Sequence, residues 1–279
     1  MKSEKTNKAS NGWKHILLMG CDSQTQGEYE RSDAMIVFSI NRGGAIRLTS
    51  IMRDIWVDLP GFGEGKINAA VWYGGPELAM RVVSEYFDLQ IDKYAMVNME
   101  GTVNIIDLLG GVDLEITEEE RVFINHCAVD VQRIIQDERV IQPLEHIGQV
   151  HLCGAQAAGH MRNRHDGADY MRTARQRQVL KAVAKKVRTR MNLPQLFRLA
   201  LRGRKWIRTN LNLMELALIF LLALRQNPDA IGEFRIPAEG TYTEIYSRES
   251  HNRIWRFGTD FEKNRQLLRE FLGNERGMD

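Results

Sequence analysis

Cysteine is scarce in this chain of 279 residues: there are three, Cys21, Cys127 and Cys153. An odd, low count excludes a disulfide scaffold, and no CxxC or Cys/His spacing points to zinc. One bridge, Cys127 to Cys153, stays open beside the reading of three unpaired thiols. Long apolar runs are missing too. The longest, Leu216 to Leu224, falls well short of the roughly 20 residues of a membrane helix and reads as a buried helix. The opening Met1 to Gly12 is polar and lysine-rich, without the apolar centre of a signal peptide, and reads as a tail. Charge of one sign is not in excess: the net is +2, so no global field pulls the chain onto nucleic acid. There is no aromatic-interleaved basic motif and no helix-turn-helix with a clear turn. A Walker loop and a GxGxxG are both absent, which leaves nucleotide use unsupported. The histidines fall into no Ser/His/Asp order.

What is present is a core. Apolar residues make up 43% of the chain, enough to bury one large domain. No internal repeat or linker marks an internal boundary, so the chain reads as a polar tail (1–13), one domain (14–273) and a C-terminal tail (274–279). His15 to Met19 and Ala34 to Ile40 read as strands, and Asn41-Arg42-Gly43-Gly44 as a hairpin into Ala45 to Ser50. Lys66 to Tyr73 starts a helix that Gly74-Gly75 interrupts and Pro76 restarts. A strand at Tyr94 to Asn98, a helix at Thr102 to Leu109 closed by Gly110-Gly111, and a strand at Val112 to Ile116 follow. Thr117 caps a helix over Glu118 to Ile135. The second half is mostly helical, with a late strand near Glu233 to Ile236 and a final helix from about Asp260 to Leu272. Alternating strands and helices define an α/β fold, a single α/β/α domain with a central mixed sheet.

Asp22 follows the first buried strand, and Arg31-Ser32-Asp33 opens the next. Two carboxylates and an arginine can therefore meet at one sheet edge, where functional groups of α/β proteins gather. Such a pair suits magnesium, which takes one or two carboxylates plus phosphate oxygens; Asp22 as a turn cap and Arg31 paired with Asp33 is the alternative. Arg53-Asp54 lies just after the third strand and matters only if it shares that mouth.

The strongest local signal is Arg162-Asn163-Arg164 followed by Asp169, Arg172, Arg175 and Gln176. If 162–164 is extended, Arg162 and Arg164 point the same way. On a helix, Asp169, Arg172 and Gln176 share a face that continues into apolar Leu180 and Val183, so these polar groups point inward and need partners. Phosphate oxygens would satisfy arginine forks two at a time. Arg177, Lys181, Lys185, Lys186, Arg188 and Arg190 read as a solvated face. His160 and His165 read as bystanders.

In order, Ile16-Leu17-Leu18-Met19-Gly20-Cys21-Asp22, Arg31-Ser32-Asp33-Ala34-Met35, Ser50-Ile51-Met52-Arg53-Asp54, Lys66-Ile67-Asn68-Ala69-Ala70, Leu109-Gly110-Gly111-Val112-Asp113, His151 to Ala157 with Arg162-x-Arg164, and Asp169-x-x-Arg172-x-x-Arg175-Gln176 resemble the motifs of the LytR-CpsA-Psr family. The resemblance implies a phosphotransferase that moves a glycopolymer (teichoic acid, capsular or related polysaccharide) from a polyprenyl pyrophosphate carrier to peptidoglycan, with pyrophosphatase side activity. It implies an extracytoplasmic place in the bacterial cell envelope, an N-terminal membrane anchor missing from this chain, no nucleic acid partner and an apolar lipid pocket. Val82 to Phe87 and Val103 to Leu109 are offered as its lining. By motif, Asp22 and Asp33 hold magnesium, with manganese as the substitute. Arg31, Arg53, Lys66, Arg162, Arg164, Arg172 and Gln176 bind phosphate, and Asp33 or Asp54 activates the acceptor hydroxyl beside catalytic Arg53. The non-catalytic alternatives are a polyprenyl-phosphate-binding module and a cell-envelope transcriptional attenuator. The chain departs from the family's pattern at Cys21, Cys153 and His160, which touches the shape of the pocket rather than any charge.

Overall fold

A computed structural model describes residues 12–21, 31–163, 169–190, 193–249 and 252–273. Asp22, Arg164 and His165 lie outside them, as does the side chain of Asp169. The centre is a mixed six-stranded sheet in the order β10-β3-β2-β1-β6-β9, formed by β1 (Trp13–Cys21), β2 (Ser32–Asn41), β3 (Ile46–Ile51), β6 (Ile91–Asn98), β9 (Ile207–Thr209) and β10 (Gly232–Ile236). β1 runs antiparallel to β2 and parallel to β6.

Alternation along the strands separates two apolar faces. Leu17, Met19, Met35, Val37 and Ile51 pack on one side against α1 (Ala69–Phe87) and α8 (Phe261–Gly273), through Ala79, Val82, Val83, Leu268 and Leu272. Ile36, Phe38, Ile40, Ile46 and Leu48 pack on the other, against Leu180 and Ala184 of α5 (Asp169–Arg190) and Leu222 of α7 (Leu213–Ala223). The expected α/β/α layering follows. Beside it, α2 (Met99–Leu108), α3 (Glu118–Ile135), α4 (Gly154–Arg162) and the hairpin of β7 (Val112–Ile116) with β8 (Gly148–Leu152) close smaller clusters, and α6 (Leu193–Gly203) precedes β9. The two segments offered as lining for a lipid pocket are buried in separate clusters: Val82, Val83 and Phe87 in the main core, Val103 with Val131, Ala155 and Ala158.

One expectation needs correction, and one hairpin was not expected. Lys66 does not begin a helix; it ends β5 (Gly63–Lys66), which pairs with β4 (Trp56–Leu59), and α1 starts at Ala69. The hairpin of β11 (Tyr242–Glu249) and β12 (Asn252–Thr259) carries no clean apolar alternation and escaped the sequence pattern. The break at Gly74-Gly75 is real: both are non-helical inside α1, and Gly75 has φ +68°, a conformation that favours glycine. All three cysteines are free, so Cys127 and Cys153 form no bridge. No helix among the described residues is long and apolar enough to cross a membrane.

Burial against β2 has a consequence for pH. His15 Nδ1 lies 2.8 Å from Ser39 Oγ, and desolvation pushes the ring's pKa down to about 4. The unfolded chain takes up that proton near pH 6.5 and the folded chain only near 4. Between these values the unfolded state binds more protons, so stability is full above about 6.5 and declines as pH falls towards 4, by up to about 3 kcal/mol. Burial lowers His160 too, with the same sign. Denaturant titrations at several pH values should reveal this slope, and His15→Gln should flatten it in part.

Candidate active site

The site forms where β1 ends and β2 begins. β3 ends at Ile51, and the Met52 amide donates to the Ile236 carbonyl at 2.8 Å, which stops the strand beside β10. A turn closed by the Ile55 amide on the Met52 carbonyl (3.3 Å) then places Arg53 and Asp54 together. The returning β5 brings Lys66 to them, because the Ile67 amide donates to the Ile55 carbonyl (2.8 Å) and the Asn68 amide to the Arg53 carbonyl (3.4 Å). The Ser32 amide donates to the Asn68 carbonyl at 3.4 Å and fixes the start of β2 against the same loop.

Arg53 bridges two carboxylates. Its Nη1 donates to Asp33 Oδ1, and its Nε to Asp54 Oδ2 at 3.3 Å. Lys66 Nζ pairs with Asp54 Oδ1. Arg172 Nη1, from α5, stands 3.9 Å from Asp33 Oδ1. Segments far apart in sequence thus bring Arg53, Lys66 and Arg172 to Asp33 and Asp54, three cations to two carboxylates. The surplus is positive and suits an anionic ligand. The carboxylates differ in access: the Asp33 side chain is 39% exposed and that of Asp54 5%.

Arg172 and Gln176 are both buried, as the inward stripe of α5 requires, and Gln176 Oε1 has no hydrogen-bond partner among the described residues. Arg31 is exposed and its guanidinium lies 5.4 Å from the ring centre of Trp72. Arg162 ends α4, so it belongs to a helix rather than an extended segment. Arg177 corrects the sequence reading: it is buried, with Nη1 on Ser50 Oγ and Nε on Glu233 Oε2, both at 2.7 Å. Lys181 Nζ joins Glu233 at 2.9 Å. Arg177 and Lys181, read as part of a solvated face, instead both point at one carboxylate on the edge strand β10. Glu233 had been read only as part of a strand.

Among the described residues no group of three or more His, Cys, Asp or Glu side chains converges on a metal position. Asp33 offers a hard, accessible oxygen beside arginines, which fits a magnesium ion that takes most of its ligands from phosphate and water.

Residues 1–261 match the model of the LytR_cpsA_psr family, and the chain belongs to that family. The polyisoprenyl-teichoic acid–peptidoglycan teichoic acid transferase TagV of Bacillus subtilis is 29% identical over 268 residues, 92% of this chain and 64% of that protein. Biofilm regulatory protein A of Streptococcus mutans is 30% identical over 262 residues, 86% of this chain and 62% of that protein. The chain therefore spans less than two thirds of the length of these curated relatives. The crystal structure of B. subtilis TagV superposes with a TM-score of 0.73 at 26% identity, covering 94% of this chain and 97% of that one.

Proposed function

We propose that this chain is a phosphotransferase that attaches a glycopolymer, carried on polyprenyl pyrophosphate, to peptidoglycan at the outer face of the bacterial cytoplasmic membrane, where a membrane anchor would hold it. The observation that carries the reading is Arg53 held between Asp33 and Asp54, with Lys66 and Arg172 brought in from distant segments. The names of family relatives, which specify teichoic acid transfer to peptidoglycan, support it.

Phosphoryl transfer requires positioning and charge neutralisation rather than covalent help from the protein. Arg53, Arg172 and Lys66 clamp the two phosphates, with Arg31, Arg162, Arg164 and Gln176 as further binders. The acceptor hydroxyl oxygen forms a bond to the sugar-side phosphorus. The bond from that phosphorus to the lipid-side phosphate breaks, and polyprenyl phosphate leaves with the electron pair. Asp33 meets the hydroxyl and passes its proton to solvent; buried Asp54 instead aligns Arg53 and Lys66. Magnesium or manganese at Asp33 and Asp22 would neutralise charge on the departing phosphate. With water as acceptor the same steps give a pyrophosphatase.

The test combines the full chain, lipid-linked pyrophosphoryl glycopolymer, magnesium and uncrosslinked peptidoglycan. Covalent attachment is expected, and Asp33→Asn should slow it about 10²-fold or more while lipid binding persists. Lipid binding with neither attachment nor phosphate release overturns the enzyme reading.

A further inference from the structure

We propose that α7, together with the basic segment before it, docks on the surface of a lipid bilayer that carries anionic headgroups. Apart from Glu215, α7 is apolar on every side, a composition expected of a buried helix. One side is covered: Leu222 packs with Ile36, Ile40 and Leu48 of the sheet. On the other, Leu213, Met214, Leu218 and Leu221 are 46%, 83%, 45% and 51% exposed, and Ala217 is exposed with them. At about 100° per residue these positions fall within one arc of about 140°. They form a continuous apolar stripe, whereas single exposed leucines would need no explanation.

Cations stand at both ends of the stripe. From Lys185 to Asn227 the chain carries ten lysines and arginines and one acid, Glu215. The whole chain is +2, so the remainder is net negative and the positive charge is concentrated here. Glu215 is neutralised: its Oε1 pairs with Lys93 Nζ at 2.7 Å. Beyond the other end of α7, Arg225 is exposed and Arg188 Nη1 donates to Asn227 Oδ1 at 3.3 Å. Val187 of α5, Leu199 of α6 and Leu224 pack in one cluster, which brings α6 alongside. There Leu201 is 51% exposed, between exposed Arg198 and Arg202.

A bilayer surface fits both features. Its acyl boundary takes leucine and methionine, and its anionic headgroups take lysine and arginine. Trp206, half-buried with Lys205 Nζ 4.3 Å from its ring centre, suits the headgroup zone. α7 has 11 residues, about 16 Å of helix, so it lies on a membrane whose apolar core is about 30 Å thick and does not cross it. A second copy of the chain fits less well, because a two-fold interface would set this basic region against itself. Such docking needs no turnover and holds whatever reaction the site performs.

Vesicle flotation of the full chain tests it. The chain should float with vesicles of phosphatidylglycerol and phosphatidylcholine and stay largely behind with phosphatidylcholine alone. Added salt should weaken the binding, because it screens the headgroup charge. Met214→Glu should lower the partition coefficient about tenfold or more. It lies in the first turn of α7, where an acid suits the helix dipole, so the fold should hold. Arg198→Gln/Arg202→Gln should lower the coefficient by a similar factor. Tyr246→Glu, a charge-matched change at a tyrosine 71% exposed on the β11–β12 hairpin, should leave it unaltered. That hairpin packs with the opposite face of the sheet, through Tyr242 and Phe257. Unfolding midpoints should match the parent's in every variant. No binding to the anionic vesicles, equal binding to both compositions, or parent-like binding by either the Met214 or the arginine variant overturns the docking surface. A dimer in solution that Met214→Glu dissociates gives the face to a second copy and overturns it too.

Discussion

Arg53→Ala is expected to lower turnover about 10³-fold, the upper end of what one transition-state donor supplies. Arg53 is the group that touches both carboxylates of the site, Asp33 through Nη1 and Asp54 through Nε. Truncation removes a phosphate donor and also leaves the two carboxylates less neutralised in the path of a dianionic pyrophosphate. Arg53→Lys restores the charge but reaches one carboxylate at a time, so it should recover only part of the rate. The readout is the initial rate of attachment to peptidoglycan at saturating donor. The unfolding midpoint should move by no more than a few degrees, since the Arg53 side chain is partly solvated. A fully active Arg53→Ala would remove this residue from the mechanism.

The opposite result is expected at Arg175, three residues from Arg172 on the same helix. Arg175 is buried; its Nε donates to Glu120 Oε1 at 3.0 Å and its Nη1 to the Asn163 carbonyl at 3.2 Å. Glu120 also completes the capping box of α3, with Oε2 accepting from the Thr117 amide at 3.2 Å. Arg175→Ala strands a largely buried carboxylate and a carbonyl and should cost about 3 kcal/mol. That corresponds to an unfolding midpoint lower by roughly 5–10 °C. Turnover per folded molecule should stay close to the parent's. Arg172→Ala should do the reverse: lost turnover with the smaller change in midpoint. If Arg175→Ala melts like the parent yet loses turnover, the division between the two arginines is wrong.

Much of the frame was legible where the signal is local. Thr117 to Ile135 was read with its cap because a capping box lies within four residues. The alternation of β1 and β2 and the glycine turn between β2 and β3 are likewise written in neighbouring residues. The hairpins β4–β5 and β11–β12 were missed because β4 is only four residues long, β5 is Gly-Glu-Gly-Lys, and the apolar residues of β11 and β12 do not alternate cleanly, so their pairing is chosen by contact rather than by periodicity. The candidate site was legible through ordered motifs, and α5 revealed its inward face because a polar stripe runs on into an apolar one. The stacking of Phe62 and Trp72 on Tyr73 was not legible: Phe62 belongs to a turn, Trp72 and Tyr73 to a helix, and no spacing rule joins them.

The sequence by itself determined the α/β class, the strand and helix order of the first half, and which charged residues were candidates. The tertiary structure alone decided their roles. It put Arg172 on Asp33 and Arg175 on Glu120, drew Arg177 inward to Ser50 and Glu233, and made Asp33 accessible while burying Asp54 between Arg53 and Lys66. The physical reason is that charge, reach and hydrogen-bonding capacity belong to a residue type, whereas partner and solvent access are set by which distant segments the core packs together.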